Sequence, residues 1–121
     1  MRKKIYNDIS DCIGKTPLIK LNFKGNMHAV IAAKLEFLNP SASIKDRMVS
    51  YILHDAQKRG FLKPGSIILE SSYGNTGFAL AALCAAFGYR LILTMPDSVS
   101  EIVRRIFDLY GTEIILTPAS K

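Results

Sequence analysis

Between Ser66 and Thr117 short apolar runs alternate with helical patterns, and only a few residues separate them. Ser66-Ile67-Ile68-Leu69-Glu70 reads as a short buried strand, and Thr76 to Phe87 as a helix that is apolar nearly all round. Tyr89 to Met95 is a second apolar strand, Ser98 to Tyr110 a second helix, and Thr112 to Thr117 a last strand. Gly88 and Gly111 stand where each helix should stop. Helices that cross between apolar strands imply a parallel sheet wrapped on both faces by right-handed connections. The expected fold class is therefore α/β. Ser98 and Glu101 have the spacing of a capping box, with Ile102, Ile106 and Leu109 expected to face inward. No internal repeat or linker interrupts the pattern.

The first half is less regular. Residues 5–14 form an irregular or briefly helical lead-in that ends at Gly14. Thr16 to Leu21 reads as a short strand, with Pro17 marking an edge or entry position, and His28 to Leu35 as a second strand. A turn over Asn22 to Met27, with Gly25-Asn26, would join them as a hairpin. Pro40 then biases Asn39 towards an extended conformation. Ser43, three residues before Asp46, has the placement of a helix cap. Ile44, Met48, Tyr51, Ile52 and Ala56 keep helical spacing up to the stop at Gly60, and Lys63-Pro64-Gly65 makes a turn.

The 121 residues are enough for one domain with a real core, and 49% apolar with 21% charged residues fits a globular chain. The net charge of +6 is spread along the chain, and only Arg2-Lys3-Lys4 form a run. Without a basic stripe interleaved with aromatics, this charge points to solubility or small anionic ligands and away from nucleic acid. Asn7, Asp8, Ser10 and Asp11 stand where a signal peptide would need an apolar core. Phe78 to Phe87 is too short to span a bilayer, so no membrane association is expected. Cys12 and Cys84 have neither metal-ligand spacing nor a disulfide framework, which makes a reducing cytoplasm the expected location. Cys84, among alanines and leucines, is expected in the core. His28 and His54 are isolated, and neither is assigned a role.

Two stretches carry candidate chemistry. A cap at Ser43 places Lys45 in the first turn of a helix, where exposed N–H groups create a positive field. That field and Arg47 favour the neutral amine, while Asp46 opposes them. A neutral lysine amine attacks carbonyls to form Schiff bases. The alternative is that Lys45 is one more solvated base among sixteen Lys and Arg. The second stretch, Ser71 to Gly77, lies at the carboxyl end of a strand and opens into a helix, where ligands of α/β sheets gather. Gly74 and Gly77 would let the backbone approach a ligand, and the helix start favours an anion. Ser72 and Thr76 add hydroxyls, and Asn75 an amide. The same residues also suit an ordinary strand-to-helix turn, and they match neither the P-loop nor the dinucleotide fingerprint.

Gly14-Lys15-Thr16-Pro17-Leu18, then Lys34 to Pro40 leading into Ser43-Ile44-Lys45-Asp46-Arg47, then Gly74-Asn75-Thr76-Gly77, stand in a specific order. Together they resemble the cysteine synthase and cystathionine β-synthase family over essentially the whole chain. These are pyridoxal-phosphate enzymes of the tryptophan-synthase-β fold type. The resemblance implies a three-layer sandwich, a parallel sheet flanked by helices, present here incompletely. Residues 1–38 would supply strands of the larger domain, and 39–121 the smaller α/β domain. It further implies that Lys45 forms the Schiff base with pyridoxal 5'-phosphate and acts as general base. By the same resemblance, Asn75 bonds the cofactor's ring hydroxyl, and Ser72, Tyr73, Gly74, Asn75 and Thr76 grip the substrate's α-carboxylate.

The activity so implied is β-replacement on an O-activated serine to make cysteine, with a small amino acid as substrate and a homodimer as the usual assembly. Two other readings accompany it: another pyridoxal-phosphate lyase, dehydratase or diaminopropionate synthase, and a non-catalytic remnant or binding module. Two residues depart from the family's pattern. Tyr73 replaces a small residue in the carboxylate loop and is expected to narrow or re-aim the substrate pocket. Lys15 replaces the usual asparagine. The family's glycine-rich phosphate loop, and its later Ser or Thr at the pyridine nitrogen, have no counterpart in these 121 residues. Little or no turnover is expected of them alone.

Overall fold

The computed structural model describes residues 5–22 and 29–119. The Arg2-Lys3-Lys4 run, His28 and nearly all of the expected Asn22 to Met27 turn lie outside the described residues. The lead-in makes one short helical turn, Ile9–Cys12, started by Asp8, whose carboxylate accepts from the Ser10 N–H at 2.7 Å. Strands β1 (Leu18–Lys20) and β2 (Ala32–Lys34) then pair antiparallel, Ile19 opposite Ala33, as the hairpin reading requires.

Helix α1 spans Lys45–Lys58. It is followed by β3 (Ile67–Ser71), α2 (Asn75–Phe87), β4 (Arg90–Pro96), α3 (Glu101–Leu109) and β5 (Glu113–Thr117). The last three strands form a parallel sheet in chain order, with Ile68 beside Leu91 and Leu93 beside Ile114. Successive right-handed crossovers in one direction put both connecting helices on one face. The stacking of Phe78 on Phe107, 4.6 Å between ring centres, bears this out. Leu91, Leu93 and Met95 of β4 point into that face and form the core with Ala79, Leu80, Leu83 and Cys84 of α2 and Phe107 of α3. Burial pushes the Cys84 thiol up to about 11, so this residue is a small apolar filler, as expected.

Helix α1 adds a further layer on α2. Val49 and Leu53 join the core, His54 meets Phe87 edge-on at 5.3 Å, and Gln57 Nε2 donates to Tyr89 Oη at 2.8 Å. These contacts bring the carboxyl ends of α1 and α2 together. The two helices are nearly equal in length, 14 and 13 residues, and begin at Lys45 and Asn75.

The α/β class with its parallel sheet is as expected, but several local expectations are not. Among the described residues helices cover one sheet face only. On the other, Ile67, Leu69 (66% exposed) and Ile115 face outward, so β3 is not a buried strand. In α1 the inward stripe is Asp46, Val49 and Leu53, while Ile44, Met48, Tyr51 and Ile52 are exposed. A buried carboxylate sits on the inner face and misleads a reading by hydropathy. In α3, Phe107 fills the seat against Phe78, and Ile102 and Leu109 are turned out. Neither capping box closes. Asp46 bonds Ser41 instead of Ser43, and Glu101 accepts from Arg105 Nη2 at 2.5 Å instead of serving Ser98.

Candidate active site

The start of α1 is held from both sides. The Ser43 hydroxyl accepts from the Lys45 N–H at 3.1 Å. The Asp46 carboxylate, 1% exposed, accepts the Ser41 N–H at 2.7 Å and also the Ser41 hydroxyl. This closes the loop Pro40 to Ser43, in which Ala42 takes a left-handed backbone, φ 62°. Such a conformation is costly for a residue with a Cβ and persists only where its surroundings enforce it. Arg47 reaches back to Glu36, Nε to Oε2 at 2.7 Å and Nη2 to Oε1 at 3.0 Å. Lys45 lies between these tethered positions. It is half-buried, and its Nζ has no hydrogen-bond or ion-pair partner among the described residues.

At the start of α2 the Ser72 hydroxyl replaces a cap and accepts the Gly77 N–H at 3.0 Å. Among the described residues no acceptor meets the N–H groups of Asn75 and Thr76, two of the orphan donors of a helix start. Those donors suit a carboxylate or phosphate oxygen. Asn75 is exposed, Thr76 and Ser72 half-buried, and Tyr73 is 54% exposed. The two glycines separate in role. A Cβ on Gly74 would meet nothing within 4 Å, so this position is open to a ligand. A Cβ on Gly77 would come within 3.1 Å of both the Ser72 carbonyl and the Phe107 ring. Gly77 is therefore required by packing inside the protein and not by approach to a ligand.

A network to which no sequence pattern pointed stands behind Lys45. Glu36 accepts from Thr16 Oγ1 at 2.6 Å and from Asn39 Nδ2 at 3.0 Å, in addition to both Arg47 contacts. Asn39 Oδ1 accepts the Gly14 N–H at 2.9 Å, and Lys34 Nζ donates to the Thr16 carbonyl at 2.6 Å. The Arg47 guanidinium and the Thr16 hydroxyl hold the Glu36 carboxyl down at about 2, and Glu36 in turn raises Arg47. Each of these residues lies in a motif that carries the family resemblance, and of them only Arg47 was expected to act on Lys45, through its charge and not through a bond to Glu36.

A family model for pyridoxal-phosphate dependent enzymes matches residues 9–121. The chain belongs to that family. A probable cysteine synthase of Bacillus subtilis is 44% identical over 119 residues, which is 98% of this chain and 38% of that protein. Among solved structures, a hydrogen sulfide-producing enzyme from Fusobacterium nucleatum superposes with a TM-score of 0.90 at 38% identity, covering 98% of this chain and 39% of its own. A cysteine synthase from Entamoeba histolytica gives 0.87 at 43% identity, covering 98% and 36%. The chain thus spans 38% of the length of the Bacillus relative. This chain holds a half-buried amine at one helix start and, at another, N–H donors that meet no acceptor among the described residues. Both features fit an aldehyde cofactor and an amino-acid carboxylate. Among the described residues no helix is long and apolar enough to cross a membrane, and no group of three metal-ligating side chains occurs.

Proposed function

We propose that the chain carries the lysine-bearing part of a cysteine-synthase-like enzyme, which replaces the β-substituent of an O-activated serine to make cysteine. The observation that supports this most is the pair of helix starts, Lys45 with its partnerless amine and Asn75 with its unpaired donors, on two helices that pack together. Pyridoxal phosphate, when bound, supplies an aldehyde to be held by an amine and a ring that withdraws electrons from the substrate's Cα. Lys45 Nζ would hold the aldehyde carbon. Once the substrate's amine takes its place, the same Nζ would take the Cα proton. Asn75 would offer its amide to the ring hydroxyl. The Asn75 and Thr76 N–H groups, the Ser72 hydroxyl and the backbone at Gly74 would hold the α-carboxylate. Ser72 can do this while accepting from Gly77, because its own O–H is still available as a donor.

Residues 1–38 would belong to a larger domain and 39–121 to the smaller one, consistent with two separate sheets. Turnover would need residues that these 121 lack, and a homodimer in the cytoplasm is the assembly proposed. Tyr73 favours a second reading, a lyase that eliminates without adding a nucleophile, because its phenol stands at the carboxylate loop where it would restrict the incoming group. In the full-length enzyme, Tyr73→Ser should change the ratio of kcat/KM between two amino-acid substrates by roughly tenfold or more. An unchanged ratio removes Tyr73 from the specificity account. The principal test is to add pyridoxal phosphate, reduce with borohydride and map the modified lysine. Label concentrated on Lys45 and lost in Lys45→Ala is expected, whereas label spread evenly over the lysines would overturn the reading.

A further inference from the structure

We propose that Glu36 and Arg47, with Thr16 and Asn39, form a clamp that sets the rotation of α1 about its axis and so aims Lys45. The inference rests on the reading of Lys45 as the cofactor lysine and assigns a task to residues that touch no reacting atom. Arg47 lies two residues after Lys45, a turn of about 200° around the helix, so the clamp grips the side opposite the amine. A tether on that side fixes where Lys45 points without occupying its Nζ. The clamp joins distant segments: Thr16 is bonded to Arg47 across 31 residues at 3.0 Å, and Gly14 to Asn39 across 25 at 2.9 Å. Its geometry is bidentate, the Arg47 fork on the two Glu36 oxygens, which fixes direction as well as distance.

Two further observations separate an aiming device from an ordinary surface pair. A Cβ on Gly14 would lie 2.9 Å from Arg47 Nη1, so the lead-in is moulded around the guanidinium. In addition, the backbone is left-handed at Lys15, φ 50°, and at Ala42, φ 62°, one on each chain segment that meets at the clamp. Both conformations are held against an unfavourable preference, as position-setting contacts require. By contrast, the exposed Arg90–Glu113 pair, at 3.5 Å, joins neighbouring strands and orients nothing.

The test uses the full chain with Glu36→Gln, Thr16→Val, Thr16→Ser and, as a control, Arg90→Gln. Amide exchange in residues 44–49 of Glu36→Gln should quicken by about tenfold while exchange in β4 stays unchanged. The share of pyridoxal-phosphate–borohydride label found on Lys45 should fall by about fivefold. Thr16→Val should move both readouts in the same direction, while Thr16→Ser, which keeps the hydroxyl, and Arg90→Gln should leave both as they are. Unchanged exchange in 44–49, an equal rise in β4, or raised local exchange with an unaltered label share would each overturn the clamp. If Lys45 takes no label even in the unsubstituted chain, the cofactor reading fails, and aim is judged by acetylation of Lys45 relative to Lys58. A change of about threefold in that ratio in Glu36→Gln upholds the clamp, and an unchanged ratio overturns it.

Discussion

The described residues between Gly14 and Arg47 and the sheet with its two connecting helices are ordered by different physics. In the sheet, β4 inserts Leu91, Leu93 and Met95 between α2 and α3, and order comes from burial, which has no preferred direction and is spread over many side chains. In the earlier segment, order comes from Glu36, Thr16, Asn39, Arg47 and the Asp46–Ser41 contact, all directional hydrogen bonds. Its apolar residues Leu18, Phe37 and Leu38 are exposed. A packed core fixes which elements are neighbours. A polar network fixes angles, and angles matter where one amine must be aimed.

Removing one residue from each region should separate the two kinds of order. Phe107 is fully buried, stacked on Phe78 and within reach of Gly77, so Phe107→Ala should cost about 3–5 kcal/mol in chemical denaturation. Its effect should spread across β4, α2 and α3 in hydrogen exchange. Asn39, 3% exposed, accepts from Gly14 and donates to the Glu36 carbonyl and carboxylate. Asn39→Ala should cost about 1–3 kcal/mol and quicken exchange only in the lead-in and the first turn of α1. If Asn39→Ala loosens the sheet as much as Phe107→Ala does, the two regions are not distinct.

The same contrast explains what was legible beforehand. The order of strands and helices was readable because periodicity is local, and the hairpin and the buried Cys84 followed from short patterns. Which side of a helix turns inward was not readable. Helix α1 has two apolar stripes, and the choice between them depends on Asp46 finding Ser41, a contact that hydropathy cannot register. Likewise, α3 is oriented by the seat that Phe107 finds beside Phe78. Apart from the Asn39–Glu36 bond, the clamp joins residues 11 to 31 positions apart and leaves no periodic trace. Lys45 and the loop Ser72 to Thr76 were candidates whose assignment rests on family motifs, because spacing alone fitted ordinary turn and surface residues as well. Even there one reason was misplaced, since Gly77 answers to Phe107 and not to a ligand.

Acid should act on one region before the other. Glu36 is held down at about 2 from an ordinary 4.5. A depressed carboxyl contributes stability in full above its unfolded value, and that contribution is lost as pH falls towards the folded one. Between these two values, exchange in residues 44–49 should quicken progressively as pH is lowered, after correction for the intrinsic rate. Glu36→Gln should flatten the slope. An identical slope in that variant would show that another group carries the acid sensitivity. Among the described residues, the core around β4, built by Leu91, Leu93, Met95 and Phe107, holds no buried carboxyl or imidazole to respond to acid.

The smallest expected effect concerns Lys15, where the family resemblance leads to an expectation of asparagine. The backbone there is left-handed, φ 50°, and the exposed lysine side chain makes no hydrogen bond or ion pair among the described residues. Asparagine visits that region far more readily than lysine does. Lys15→Asn should therefore stabilise the chain by up to about 1 kcal/mol, through a lower backbone cost and no new contact. It should also slow exchange at the Gly14 amide, because the turn that presents this N–H to Asn39 is then populated more fully. Loss of stability on making the substitution would mean that the Lys15 amine serves something its conformational cost has hidden. The polar region would then hold one contact more than its hydrogen bonds reveal.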